Sequence, residues 1–184
     1  MKSIKIVAMF FAVSFLAFQA SAQTPTQAPP ATQATNTVID VAKSSKDNSK
    51  MVSAIKAAGM EETLMGAGPY TIFAPSNDAF SKLPAGQADA LMQPDAKREL
   101  NGLLSYHVVQ GNYDFDALSA AIDKGNGTAE LNTVSGAKLK AAKENGKIVI
   151  TDAAGGKATV TPSDAKATNG VVYSIDAVLQ PVKK

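Results

Sequence analysis

Thr71-Ile72-Phe73-Ala74-Pro75-Ser76-Asn77-Asp78-Ala79-Phe80 carries the signals that decide the fold of this chain. Tyr70 to Ala74 is a short, mostly apolar run stopped by Pro75, the pattern of a buried strand. Ser76 follows as a helix N-cap. Asp78 lies in the first turn, where the positive end of the helix dipole favours a carboxylate. A buried strand thus passes directly into a capped helix.

Upstream, Thr37 and Asp40 fit an N-cap pattern, with Val38, Ile39 and Val41 as a short apolar face. Asn48 or Ser49 caps a second helix, whose Met51, Val52 and Ile55 share one side. Gly59 supplies its C-terminal stop, with Met60 as the apolar contact beyond it. Downstream, Pro94 suits the first turn of a helix with Ala96, Leu100, Leu103 and Leu104 on its inner face. Tyr106 to Val109 reads as a strand closed by Gly111. Asp114 or Asp116 caps a helix that carries Leu118 and Ile122 and ends at Gly125.

From Gly127 the pattern alternates instead. Leu139 sits between Lys138 and Lys140, and Asn145-Gly146 is a hairpin turn before Lys147-Ile148-Val149-Ile150-Thr151. Gly155-Gly156 precedes Ala158 to Thr161, and Asn169-Gly170 precedes the final run from Val171 to Leu179. Helices dominate the first half and antiparallel strands the second, which is an α+β pattern.

Three segments together resemble the fasciclin domain, also called FAS1. The quoted stretch is similar to the family's first conserved box. Leu103-Leu104-Ser105-Tyr106-His107-Val108-Val109, ending at Gly111, resembles its Tyr-His motif. Ala167-Thr168-Asn169-Gly170-Val171-Val172-Tyr173-Ser174-Ile175-Asp176-Ala177-Val178-Leu179, followed by Pro181, resembles its second box. The likeness covers about Thr37 to Val182. It implies a wedge-shaped β-sandwich-like core with helices packed along one side, and roles in adhesion and extracellular protein contact. In some animal members an acidic residue and two large apolar ones, associated with integrin binding, stand just before the second box. Here Ser163-Asp164-Ala165-Lys166 keeps the acid and lacks the apolar pair.

The N-terminus has the parts of a secretory signal: Lys2 and Lys5, an apolar run from Ile6 to Phe18, and Ala20-Ser21-Ala22 as a small-residue cleavage site. The run is shorter than the ~20 residues a transmembrane helix needs. Cleavage leaves Gln23 first, then a linker, 23–36, made only of Gln, Thr, Pro, Ala and Asn. Such a stretch buries too little surface to offset the entropy of ordering it. The domain is expected over 37–184. The full chain has 18 basic and 16 acidic residues, and losing Lys2 and Lys5 leaves 16 of each, so the mature net charge is zero. No basic stripe argues for nucleic acid. The chain has no cysteine, so its stability must come from its core.

Candidate chemistry is sparse. His107 is the only histidine. As a triad base it would need a serine on a strained turn and a buried acid, and no G-x-S-x-G is present. Its apolar neighbours favour a hydrogen-bonded structural role. One histidine without cysteine excludes the common zinc sets, and Asp114-Phe115-Asp116 lacks the further oxygen ligands of a calcium loop. Gly66-Ala67-Gly68 and Gly155-Gly156 are turns rather than phosphate loops. Asn126-Gly127-Thr128 matches a glycosylation acceptor and also reads as a turn. Tyr106 and Tyr173 are amphipathic, suited to a partner or to the core with the hydroxyl satisfied.

The reading is therefore an exported, non-catalytic binding module, periplasmic or at the cell surface, with no cofactor and no metal. Its partner is a protein, a surface glycan or a second copy of the domain. Possible contact residues are Tyr106, His107 and Asp164, two places where the resemblance implies them. The alternative is a periplasmic carrier or sensor holding a small ligand in an apolar cavity.

Overall fold

Thr37 caps the first helix. In the computed structural model, which describes residues 36–181 apart from the side chains of 162–164, its hydroxyl accepts the Asp40 N–H while the Asp40 carboxylate accepts the Thr37 N–H at 3.0 Å. This capping box starts α1 (Val38–Ser44), and its hydrogen bonds hold the Asp40 carboxyl below the usual carboxylate range. The expected signal segment and the linker before Asn36 lie outside the described residues, as does 182–184. Helix α2 (Ser49–Ala58) stops at Gly59, left-handed at φ 72°, with Met60 N–H returned to the Ile55 carbonyl at 3.1 Å. α3 (Glu61–Met65) follows.

Asn48 occupies the N-cap position of α2, but its side chain makes no cap hydrogen bond there. It is buried, and its amide donates to the carbonyls of Ala74 at 3.0 Å and Pro75 at 3.2 Å and to the Ser174 hydroxyl at 3.1 Å. A buried amide must satisfy its donors, and the end of β1 supplies the carbonyls.

The quoted stretch forms β1 (Tyr70–Pro75) and then α4 (Asn77–Ser81), with the Ser76 hydroxyl accepting the Ala79 N–H at 3.2 Å. α5 (Gln87–Leu91), α6 (Lys97–His107), β2 (Val108–Gln110) and α7 (Phe115–Lys124) complete the helical part. The strand expected from Tyr106 begins only at Val108. Leu100, Leu103, Leu104 and His107 continue one helical face, so the helix runs through the Tyr-His pair.

The sheet then runs through β3 (Thr128–Asn132), β4 (Lys138–Glu144), β5 (Lys147–Thr151), β6 (Lys157–Ala167) and β7 (Gly170–Ile175), in the spatial order β2-β1-β7-β6-β5-β4-β3. β1 and β7 are parallel, and the other neighbours are antiparallel. The sheet is thus mixed, because a strand from the first half inserts beside the last. β6 pairs with β5 at one end and β7 at the other, with a register shift between Val160 and Asp164. Such an irregularity lets a sheet bend. A bridge from Val109 to Thr133 brings β2 to the residue after β3. The sheet curls on itself, with helices alongside.

Strand alternation sorts two cores. Phe73, Val171, Tyr173 and Ile175 join Leu131, Leu139, Ile148 and Ile150 within the curled sheet. Ile72, Ala74 and Val172, one residue out of phase, meet Ile55, Leu64, Leu100 and Leu104 from the helices. Phe73 stacks on Tyr173 with ring centroids 5.8 Å apart, and the Tyr173 hydroxyl donates to the Tyr113 carbonyl at 3.0 Å.

Candidate functional site

α6 ends by delivering Tyr106 and His107 into the interior, where both are buried. The His107 Nε2 accepts the Leu179 N–H at 3.0 Å. That fixes the tautomer, since Nδ1 then carries the proton and donates to the Leu103 carbonyl at 2.8 Å. Burial holds the ring well below the usual histidine range, at about 4, despite the opposing pull of the Leu103 carbonyl and of Asp152. The ring is neutral at physiological pH.

Asp152 is the missed residue of this clasp. Its Oδ1 accepts the N–H groups of Ala154 and Gly156 at 3.0 and 2.6 Å, and its Oδ2 accepts that of Gln180 at 2.9 Å. The Tyr106 hydroxyl accepts the Ala153 N–H at 2.9 Å. Burial first, then the Asp152 charge, pushes that phenol above the usual tyrosine range. The pair therefore pins the turn after β5 and the tail after β7. The sequence held one hint, the glycines after Asp152, which mark a turn that a carboxylate can close.

The pinned tail forms one wall of an apolar groove. Leu83, Leu91, Leu103, Val178 and Pro181 line it, Glu99, Gln87 and Gln180 stand with them, and its volume is about 210 Å³. Nothing in the local sequence gathers these residues. α5, α6 and the tail meet only in the fold.

A family model for the fasciclin domain matches residues 46–181. The chain belongs to the fasciclin family. It is 38% identical over 151 residues to Protein sll1483 of Synechocystis sp., covering 82% of this chain and 77% of that protein. It is 36% identical over 145 residues to transforming growth factor-beta-induced protein ig-h3 of Sus scrofa, covering 79% of this chain but only 19% of that one. Immunogenic protein MPT70 of Mycobacterium tuberculosis is 32% identical over 117 residues, 64% of this chain and 52% of that protein. Among solved structures, the FAS1 domain pair of the insect cell adhesion molecule Fasciclin I superposes with a TM-score of 0.68 at 21% identity, over 82% of this chain and 52% of that one. That likeness is one of fold.

In this fasciclin domain the three expected contact residues part company. Tyr106 and His107 face inward, Tyr106 holding the turn after β5 and His107 the tail after β7. The backbone of Asp164 pairs opposite Tyr173 in β6, and its side chain lies outside the described ones. Lys166, two residues on, places its ammonium 3.9 Å from Asp114. Asp114 caps α7 through the Ala117 N–H at 2.9 Å, and the next residue, Phe115, is 42% exposed. The segment that lacks an apolar anchor in sequence thus meets, through Lys166, the residue that precedes an exposed aromatic. Met65, 51% exposed, is the other large apolar side chain left in water among the described residues. No group of three or more potential metal ligands occurs among them, and no helix there is long and apolar enough to cross a membrane.

Proposed function

We propose that this chain is an exported, non-catalytic binding module that makes an adhesive contact, periplasmic or at the cell surface, with a protein or surface glycan. The observation that carries this reading is Phe115, an exposed aromatic beside the Lys166–Asp114 contact. An interface centre needs a few apolar or aromatic anchors ringed by polar groups. The relation to a domain of an insect cell adhesion molecule supports the same reading.

Crosslinking capture from intact cells tests it, with the wild-type chain against Phe115→Ala and Lys166→Ala. Phe115→Ala weakens capture by more than about tenfold, whereas the rim charge Lys166→Ala changes it less than that. Equal capture by wild type and Phe115→Ala sinks the assignment of the contact.

The groove favours a second reading, a periplasmic carrier or sensor of a small apolar ligand. Mass spectrometry of denatured protein decides it. A stoichiometric small molecule supports the carrier, and its absence from freshly purified material counts against it.

A further inference from the structure

We propose that Asn145, in the turn between β4 and β5, is a site of spontaneous covalent modification, where the Gly146 nitrogen closes on the asparagine side chain and the turn becomes aspartate and isoaspartate. Four Asn-Gly pairs occur in the chain, at Asn101, Asn126, Asn145 and Asn169. The fold leaves one of them open to the reaction.

Glycine has no side chain to shield the backbone nitrogen, so it is the following residue best able to attack an asparagine. The glycine nitrogen bonds to the asparagine Cγ. The side-chain nitrogen leaves as ammonia, taking the proton that the backbone nitrogen gives up. Water then opens the five-membered imide. Breaking its bond from Cγ to nitrogen gives aspartate. Breaking the bond from the main-chain carbonyl to nitrogen gives isoaspartate, whose backbone is one methylene longer. Water is the co-reactant, and nothing is oxidised or reduced. Three conditions must hold: a backbone N–H free of hydrogen bonding, a carboxamide free to rotate onto it, and room for the ring and for water.

Three pairs fail at least one condition. Asn101 and Gly102 lie inside α6, so the Gly102 N–H serves the helix ladder, and the Asn101 carboxamide oxygen is buried away from water. Asn169 is held by its side chain. Its Oδ1 accepts the Val38 N–H at 2.9 Å, and its Nδ2 donates to the Leu64 and Gly66 carbonyls, each at 2.9 Å. Gly170 is buried, and the Tyr70 carbonyl fills the space where a Cβ would stand. Asn126 and Gly127 are exposed, but the Gly127 N–H donates to the Ile122 carbonyl at 2.9 Å.

At Asn145 all three hold. The strand pairing ends at Glu144 and Lys147, and no carbonyl among the described residues takes the Gly146 N–H. Asn145 and Gly146 are both exposed, and a Cβ at Gly146 would meet nothing within 4 Å. The preceding charged residues are engaged elsewhere, Lys143 with Asp123 at 2.8 Å and Glu144 with Lys157 at 2.6 Å. Each product adds one negative charge beside them, and isoaspartate also lengthens a turn built for two residues.

The test holds the purified protein folded in warm, mildly alkaline buffer made with ¹⁸O-labelled water, beside a second sample in urea. Peptide mapping by mass spectrometry reads the label gained at each asparagine, and an isoaspartyl methyltransferase marks the isoaspartate. In the folded chain Asn145 converts ahead of Asn126 and at least about tenfold faster than Asn101 and Asn169. In urea the four rates draw together, because the protection came from the fold. Asn145→Gln removes the first acidic species that ion exchange resolves. No conversion at Asn145, a lead by any other pair, equal rates in the folded chain, or a ranking that urea leaves unchanged overturns the proposal. Persistence of that first acidic species in Asn145→Gln overturns it as well.

Discussion

β1 and β7 lie between two apolar layers, whereas β3 and β4 have one side in the core and one in water. Along β1 every residue from Thr71 to Pro75 is buried, and along β7 only Ser174 is partly exposed. Along β3 and β4 burial alternates, with Ala129, Leu131, Leu139 and Ala141 inside and Glu130, Lys138 and Lys140 outside. The difference follows from the helices. α2 and α6 belong to the cluster that covers the outer face of Ile72, Ala74 and Val172, and the outer face of β4 carries lysines instead. A strand buried on both faces reads as a continuous apolar run, and a half-exposed one as alternation. The same rule explains why the boxes that resemble the family fall on β1 and β7. Those strands tolerate no polar side chain on either face without a partner for it.

The sharpest way to break this comparison is to treat the outer face of β7 as though it were that of β4. Val172→Lys places an ammonium under the helices and is expected to cost more than about 4 kcal/mol, enough to prevent two-state folding in urea titrations. A stably folded Val172→Lys protein defeats the two-layer account.

His107 joins the covered half to the tail. His107→Ala leaves the Leu179 N–H without its acceptor and opens a cavity, for an expected loss of about 2–4 kcal/mol. The same residue gives a pH signature. An unfolded chain protonates this ring near 6.5, the folded one only at about 4. Between those values the unfolded state binds more protons. The stability from the neutral ring is therefore complete above pH 6.5 and is lost as pH falls towards 4, by at most about 3 kcal/mol. Urea midpoints from pH 7.5 to 4.5 should fall more steeply for wild type than for His107→Gln, and matching slopes rule this out.

Thr37→Ala removes one side of the capping box at the start of the helical layer, with an expected cost of about 1 kcal/mol. Thermal melts measure it, and an unchanged midpoint means that α1 is held by packing alone. At the small end, Lys140→Thr on the open face should stay within about 0.5 kcal/mol of wild type. A larger loss there would falsify the view that this face is solvated.

The sequence by itself determined the elements whose signals are local. Ser76, Thr37 and Asp114 cap helices because a side-chain oxygen reaches an N–H three residues on. Gly59 stops α2, and Asn145-Gly146 turns the β4–β5 hairpin with both residues at positive φ. The α+β class and the fasciclin family were legible for the same reason, since the boxes are contiguous. Tertiary structure decided what depends on distant partners. It turned the side chain of Asn48, at the N-cap position, to the end of β1, and kept Tyr106 and His107 helical, with His107 on the face begun at Leu100. It set Asp152 against the tail and brought Lys166 to Asp114, the residue before Phe115. Each is a polar group seeking a partner, or an apolar side chain seeking a layer, far along the chain. No local pattern records where such a partner will be found.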